Sequence, residues 1–255
     1  MRIVSYNILD GGVGRADAIA EVIAARRPDL VALVEATDAA VIDVIARRLG
    51  MDVLHAPGNS QGSALLTRWP VRESINHAPL HAGFEKSLLE ATVVGPAGRE
   101  WTVYVIHLHA RAAEADEDQR MRELDVVLKV TQPQRSADRP HLLCCDFNAN
   151  APYQRIDPAK CKPRTRREWD ENGGGLPRRA VQRLLDAGYV DTLRELHPAE
   201  AETAGSFTTE FPGQRVDYVF AFGIGRTRLK EASVDQSHTA RGASDHFPVG
   251  LEVDG

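Results

Sequence analysis

The sequence predicts an α/β fold of two packed mixed β-sheets with helices outside, and three observations carry that expectation. Short apolar, β-rich runs alternate with helix-periodic stretches through the first half of the chain. A hairpin pattern with its turn around Gly95 to Gly98 makes the sheets mixed rather than purely parallel. No linker divides the 255 residues, so one domain spanning 1–255 is expected. A doubly wound parallel sheet is the alternative; it accommodates the hairpins less well, and no G-x-G-x-x-G follows the first strand.

RIVSYNIL reads as the first strand. Ala16, Ile19, Ala20 and Ile23 recur at the spacing of one helix face, and Pro28 stops that segment before DLVALVE, a buried-strand run. Val41, Val44, Ile45 and Leu49 form a second helical stripe, closed by Gly50 in a cap position. MDVLHA and SALLTRW follow as strands, then LLEATVV and WTVYVIHLH as the hairpin. A helix from about Ala113 to Val130 carries Met121, Leu124 and Leu128 on one side and charge on its outer side. HLLCCDF is another strand. The stretch Asn150 to Gly175 is rich in Pro, Gly and Arg and reads as a functional loop insert, longer than an ordinary connection. Val181, Leu184 and Leu185 mark a short helix ending at Gly188, before the strands RVDYVFAF, RLKEASV and PVGLEV.

Composition bounds the function. With 43% hydrophobic and 26% charged residues and no repeat, the chain is neither a solenoid nor disordered. A net charge of −5 weakens the idea of a protein that coats nucleic acid electrostatically. One local exception lies between Lys160 and Arg183, where Lys160, Lys162, Arg164, Arg166, Arg167, Arg178, Arg179 and Arg183 crowd together. They form either a phosphate-tracking groove or a solvated surface. Three cysteines, two of them adjacent, make no disulfide framework. With no leader-like start and no apolar stretch of membrane-spanning length, a soluble, cytoplasmic protein is expected.

Polar residues end the apolar strands. Asn7 closes RIVSYN, Glu35 closes DLVALVE, His107 lies late in TVYVIH, and Asp146 with Asn148 closes LLCCDFN; Asp217 interrupts RVDYVF, and Asp245 with His246 precedes FPVGLEV. Singly, each has a structural explanation as a turn, a cap or a satisfied core group. Together they place a polar group at one strand boundary after another, where α/β proteins gather ligands. Carboxylates and amides without a thiolate cluster suit a hard cation, Mg²⁺ or Mn²⁺, and no zinc spacing is present.

SYNIL, the Glu35 strand, GSALLTRWPV, VIHLH with Arg120 and Glu123 downstream, CDFN, RVDYVF and SDHFPV resemble, in order, the motifs of the endonuclease/exonuclease/phosphatase superfamily, from Asn7 to about Val253. The resemblance implies the fold of deoxyribonuclease I, a four-layer α/β sandwich, and metal-dependent hydrolysis of phosphate esters. It would make Glu35 the principal metal ligand, with Asn7 nearby and Asp245 as a further ligand or a water-mediated contact. Asp146 would orient and deprotonate the attacking water, and Asn148 would hold a phosphate oxygen. His246 would bind the scissile phosphate, positioned by Asp217. His107 would contact the phosphate and protonate the leaving oxygen, and Arg120 would be a further substrate contact.

The chain departs from that pattern where Val34 replaces the usual Gln, where Cys145 replaces Gly, and where Ile8-Leu9 replaces an acidic neighbour, which leaves Asp10 as a substitute. His109, on the same strand face as His107, is either an extra phosphate contact or a surface residue. The substrate expected is DNA or RNA, received by the basic insert, where Trp169 either stacks on a base or covers the core. The alternative is a phospholipid headgroup, an inositol phosphate or another small phosphoester; a binding module on a degenerate fold is a third reading, opposed by the intact polar set.

Overall fold

The structure, a computed structural model, describes residues 1–254. Among these, twelve strands form two six-stranded sheets. In the first, β1 (Arg2–Asn7) and β2 (Leu30–Val34) are parallel neighbours. Antiparallel strands continue on either side: β4 (Ser63–Thr67) and β3 (Asp52–Ala56) beyond β2, and β12 (Val249–Val253) and β11 (Leu229–Val234) beyond β1. The second sheet repeats the plan. β7 (Glu100–His107) and β8 (His141–Asp146) are its parallel pair, flanked by β6 (Ser87–Val94) and β5 (Val71–Asn76) on one side and β10 (Asp217–Phe222) and β9 (Val190–Asp191) on the other.

Strand alternation sorts the side chains into layers, because successive residues point to opposite faces. Ile3, Leu30, Ala32 and Val34 from the first sheet pack against Val103, Val105, Leu142 and Cys144 from the second, forming the core between the sheets. The alternate residues Val4, Tyr6, Val31 and Leu33 face outward onto α1 (Ala16–Ala25), α2 (Ala39–Leu49) and α8 (His238–Ala243). Tyr104, Ile106, Leu143 and Cys145 likewise face α3 (Glu114–Ser136) and α5 (Arg179–Asp186). The result is a four-layer α/β sandwich, as expected. The adjacent Cys144 and Cys145 fall in different layers, both buried and unpaired.

Local signals explain most boundaries. Asp38 caps α2 by accepting from the Val41 amide at 3.1 Å, and Gly50 ends it at φ 63°, where a side chain would be strained. The stripe α2 buries is Ile42, Ile45, Ala46 and Leu49, so Val41 and Val44 sit at its edge rather than in it. Acidic residues in the first turn of α3 complement the helix dipole, and Asp116 accepts from the Ala113 amide at 3.0 Å.

Two expectations change. α3 runs on to Ser136, past Pro133, and its buried face carries Glu117, Arg120 and Glu123 besides Leu124 and Val127. Charge therefore lies on both sides of it; the buried Glu117 and Arg120 pair with each other, and Glu123 accepts from the Glu85 and His109 amides. The Asn150 to Gly175 insert is not all loop, since α4 (Pro163–Glu171) starts on a proline suited to the first helical turn. The edge strand β5, the short strand β9, α6 (Thr192–Leu196), α7 (Pro198–Thr203) and α8 were not apparent from periodicity.

Candidate active site

The two sheets open at one end, and the layer rule decides which polar residues meet there. Asn7 shares the inner face of β1 with Ile3, and Asp146 that of β8 with Leu142 and Cys144. His107 and Asp217 lie on the inner faces of β7 and β10 by the same count. Register then aligns three of them in one row: His107 pairs with Asp146 across the parallel ladder, and Asp217 pairs with Asp146 across the antiparallel one. Glu35 follows the last residue of β2 at the same end, since Asn7 pairs with Val34.

Asn7 is the junction between the sheets. Its amide Nδ2 donates to Glu35 Oε1 at 3.1 Å and to Asp146 Oδ2 at 2.9 Å, while its Oδ1 accepts from the Leu9 amide at 3.0 Å. It thus offers its NH₂ group to the two carboxylates and has its carbonyl oxygen engaged by backbone, unlike a group waiting to bind a cation. Asp10 contributes its backbone amide to Glu35 Oε2 at 2.9 Å, and its side chain is exposed. Glu35 and Asn148 adopt left-handed backbone conformations, φ 57° and 48°. Such conformations in non-glycine residues cost roughly 1–3 kcal/mol and cluster at functional sites.

His246 is held from both sides. Its Nδ1 lies 2.9 Å from Asp217 Oδ2, and its Nε2 lies 3.8 Å from Asp146 Oδ2. Burial opposes the imidazolium, but the Asp217 and Asp146 carboxylates outweigh it and push the ring up to about 10. Phe207 packs on the ring, centroids 4.5 Å apart. Ser244 Oγ donates to the Asn7 carbonyl at 2.7 Å and accepts from the His246 amide at 3.3 Å, clipping this loop to β1. Ser206 Oγ accepts from the Asp217 amide at 3.2 Å.

Asp146 is fully buried. Burial first, then Asp217, raises its pKa against the opposing pull of His246, Lys86 and Asn7. Its Oδ1 accepts from the Asn148 amide at 3.0 Å, and Asn148 Nδ2 donates to the Leu108 carbonyl at 3.0 Å, which leaves one amide hydrogen of Asn148 unengaged.

Two expected residues sit differently. His107 is completely buried, with Nε2 2.7 Å from the Lys86 ammonium and 3.4 Å from Asp146; burial, reinforced by Lys86 and His246, holds it far below its ordinary pKa. Burial thus favours the neutral ring, although His107 still lines the cavity. Arg120 does not reach the cavity. Its Nε donates to Glu117 at 2.7 Å and its guanidinium to the carbonyls of His109 and Arg111 at 3.1 and 2.5 Å, so it braces the turn after β7. His109 is likewise tied down, between Glu85 and Asp116.

A cavity of 270 Å³ opens over these groups, with Glu35, Asp146, Asn148, Asp245 and His246 on its walls. The insert closes one side: Lys162 and α4 line it, and Asn172 donates to the Ala112 carbonyl at 2.7 Å, tying the end of α4 to the loop after β7. Half of the eight basic residues of this region are paired, Arg164 with Glu168, Arg179 with Asp118, Arg183 with Asp125 and Lys160 with Asp157. Lys162 instead lies over the Phe207 ring, 4.0 Å from its centroid. Trp169 does not line the cavity. Lys86 and Phe207 were not singled out in the sequence; the one available signal was a lysine opening an apolar strand, KSLLEATVV.

The donor set fits a hard cation. Asp245 Oδ1 is buried without a hydrogen-bond partner, and its pKa is raised by burial and, against the pull of His246, by the nearby Glu35 charge. Two carboxylates facing one cavity with an unsatisfied oxygen would be relieved by a divalent ion bound through oxygen. Asp146, Asp217 and His246 also bring ligand-type atoms within 4.8 Å of one another. That trio is already joined through His246, and an imidazolium has no lone pair for a metal.

A sheet-end cavity where buried carboxylates, amides and a charged histidine surround a cation-ready oxygen cluster, on a four-layer α/β sandwich, is that of a phosphoric ester hydrolase. The model of the Endonuclease/Exonuclease/phosphatase family matches residues 4–246, and the chain belongs to that family, whose members act with a divalent metal. Solved structures agree in fold. The 3'-5' exonuclease NExo from Neisseria meningitidis is 22% identical with a TM-score of 0.78, each chain covered fully. The 3' phosphatase NExo from Neisseria, bound to product DNA hairpin, is 21% identical with a TM-score of 0.76, again with full coverage of both. An AP endonuclease from Archaeoglobus fulgidus is 18% identical with a TM-score of 0.70, also over the whole of both chains. No curated protein matches the sequence significantly. No helix among the described residues is long and apolar enough to cross a membrane.

Proposed function

We propose that the chain is a single-domain, divalent-metal-dependent nuclease that cleaves DNA or RNA phosphodiesters by in-line attack of water on phosphorus. The observation that carries this reading is the row His107–Asp146–Asp217 at one sheet end, bridged by Asn7 to Glu35 of the other sheet. Glu35 and Asp245 would hold Mg²⁺ or Mn²⁺, which would stabilise charge building on the phosphoryl oxygens. Asp146, with its raised pKa, accepts the proton of the attacking water. His246, charged through Asp217, sits on the phosphate, and the free amide hydrogen of Asn148 holds a second oxygen. Nucleic acid as substrate is supported by the structures named for DNA products and AP sites and by the insert lysine at the cavity wall. The three buried free thiols fit the reducing cytoplasm.

The small cavity, 270 Å³, favours a second reading, a phosphatase or phosphodiesterase acting on a lipid headgroup, inositol phosphate or similar small ester. One experiment separates the two. Purified protein with Mg²⁺ or Mn²⁺, and chelator controls, is incubated with duplex, single-stranded and RNA oligomers, sphingomyelin, inositol phosphates and p-nitrophenyl esters. Cleavage of the oligomers supports the nuclease; release from small esters alone replaces it.

A further inference from the structure

Lys86 stands immediately before β6, beside His107 across the ladder, because Ser87 pairs with His107. Its residue is only 7% exposed, and it lines the same cavity as Asp146, Asn148 and His246. Among the described residues no carboxylate lies within ion-pair distance of its ammonium, and its one hydrogen-bond partner is His107 Nε2 at 2.7 Å. A buried ammonium with one of three donors used is costly unless something anionic completes its shell. The fixed carboxylates around it, Asp146 and Glu35, act on it at a distance without meeting it.

His107 explains the aim of that ammonium. As a neutral ring fully inside the protein, with Nδ1 facing no partner, it uses Nε2 to accept from Lys86. Accepting one hydrogen fixes the ammonium's rotation, so the other two N–H groups point away from the ring. The positive charge expected of His107 is thereby carried one residue further, at the tip of a longer side chain.

Resting on the reading of this site as a phosphoester hydrolase, we propose that Lys86 is a direct ligand of the substrate's phosphoryl oxygens and that His107 is its positioning residue. No bond is made or broken by either. Lys86 supplies charge-assisted hydrogen bonds to the phosphoryl group.

The test reads binding separately from turnover. Inorganic phosphate is titrated calorimetrically into the full chain in Mg²⁺, and the family reaction is assayed on whichever ester proves to be cleaved. Lys86→Met is expected to weaken phosphate at least tenfold, and Lys86→Arg to recover most of that loss. Lys86→Gln runs beside them as a second variant that keeps a polar end in the buried site, and melting temperature reports folding for all. His107→Leu is expected to weaken phosphate as well, whereas His107→Gln, which keeps an acceptor, loses less. Phosphate binding by folded Lys86→Met or Lys86→Gln as tight as in the parent overturns the proposal. So does His107→Leu abolishing turnover with phosphate binding intact, since His107 would then act on the substrate itself. A chain that binds phosphate through Lys86 yet hydrolyses nothing upholds this inference while overturning the hydrolase reading.

Discussion

Asp217 stands directly across the β8–β10 ladder from Asp146, and His246 lies between them, 2.9 Å from the first carboxylate and 3.8 Å from the second. Two carboxylates with one imidazolium between them differ by distance: the near one holds the ring in its charged form, and the far one, on the function proposed above, is left to act on water.

Replacing Asp217 with Asn removes the largest influence that raises the His246 pKa. The histidine signal, followed by NMR in chelator, is expected to titrate near 10 in the parent and well below that in the variant. Because the folded-state pKa lies above the ordinary 6.5, the stability this pair contributes is fully present below about pH 6.5 and is lost as pH rises through about 10. In Asp217→Asn that loss is complete at lower pH. Unchanged titration in the variant would mean that Asp217 does not hold the ring.

Asp146→Asn and Glu35→Ala are each expected to lower kcat/KM by roughly two or more orders of magnitude. Both should leave the far-ultraviolet circular dichroism spectrum as in the parent, since neither residue belongs to a packed apolar cluster. Near-normal turnover by Asp146→Asn would remove it as the base.

Arg120→Met strips the partner from Glu117, a carboxylate with no exposure that also accepts from the Ala180 amide at 2.7 Å. Breaking one side of a buried pair costs about 3–5 kcal/mol. Urea unfolding should register a loss of that order. A variant as stable as the parent but raised in KM would restore Arg120 as a substrate contact.

Lys162→Ala takes one cation from the cavity wall, where Lys162 has an aromatic face rather than a carboxylate beside it. For an oligonucleotide substrate, the slope of log affinity against log salt is expected to fall in magnitude by about one. An unaltered slope would separate the insert from the polyanion.

The sequence was legible where a single chemical rule acts locally. Apolar, β-rich runs such as RIVSYN and HLLCCD placed the strands, and the ordered motifs pointed to Asn7, Glu35, Asp146, Asp217 and His246, which the fold brings to one sheet end. It misled where partners decide. The charges of α3 looked outward-facing, yet Glu117 and Arg120 are inside because they meet each other and the turn after β7. His107 looked cationic, but burial disfavours its charge, reinforced by Lys86, which lies 21 residues earlier and meets it only once the hairpin has formed. The basic run from Lys160 to Arg183 looked like a continuous surface, yet Arg164, Arg179 and Arg183 are neutralised by acids from α3 or from their own helix.

The bond from Asn172 to the Ala112 carbonyl makes the cavity wall a joint product of two stretches of chain sixty residues apart. Grafting the insert alone onto a relative would leave its far end unmoored. Any evolutionary or engineered change of the wall's shape must therefore alter both stretches in step, and recombination between homologues that splits them is expected to yield folded but poorly active chimaeras.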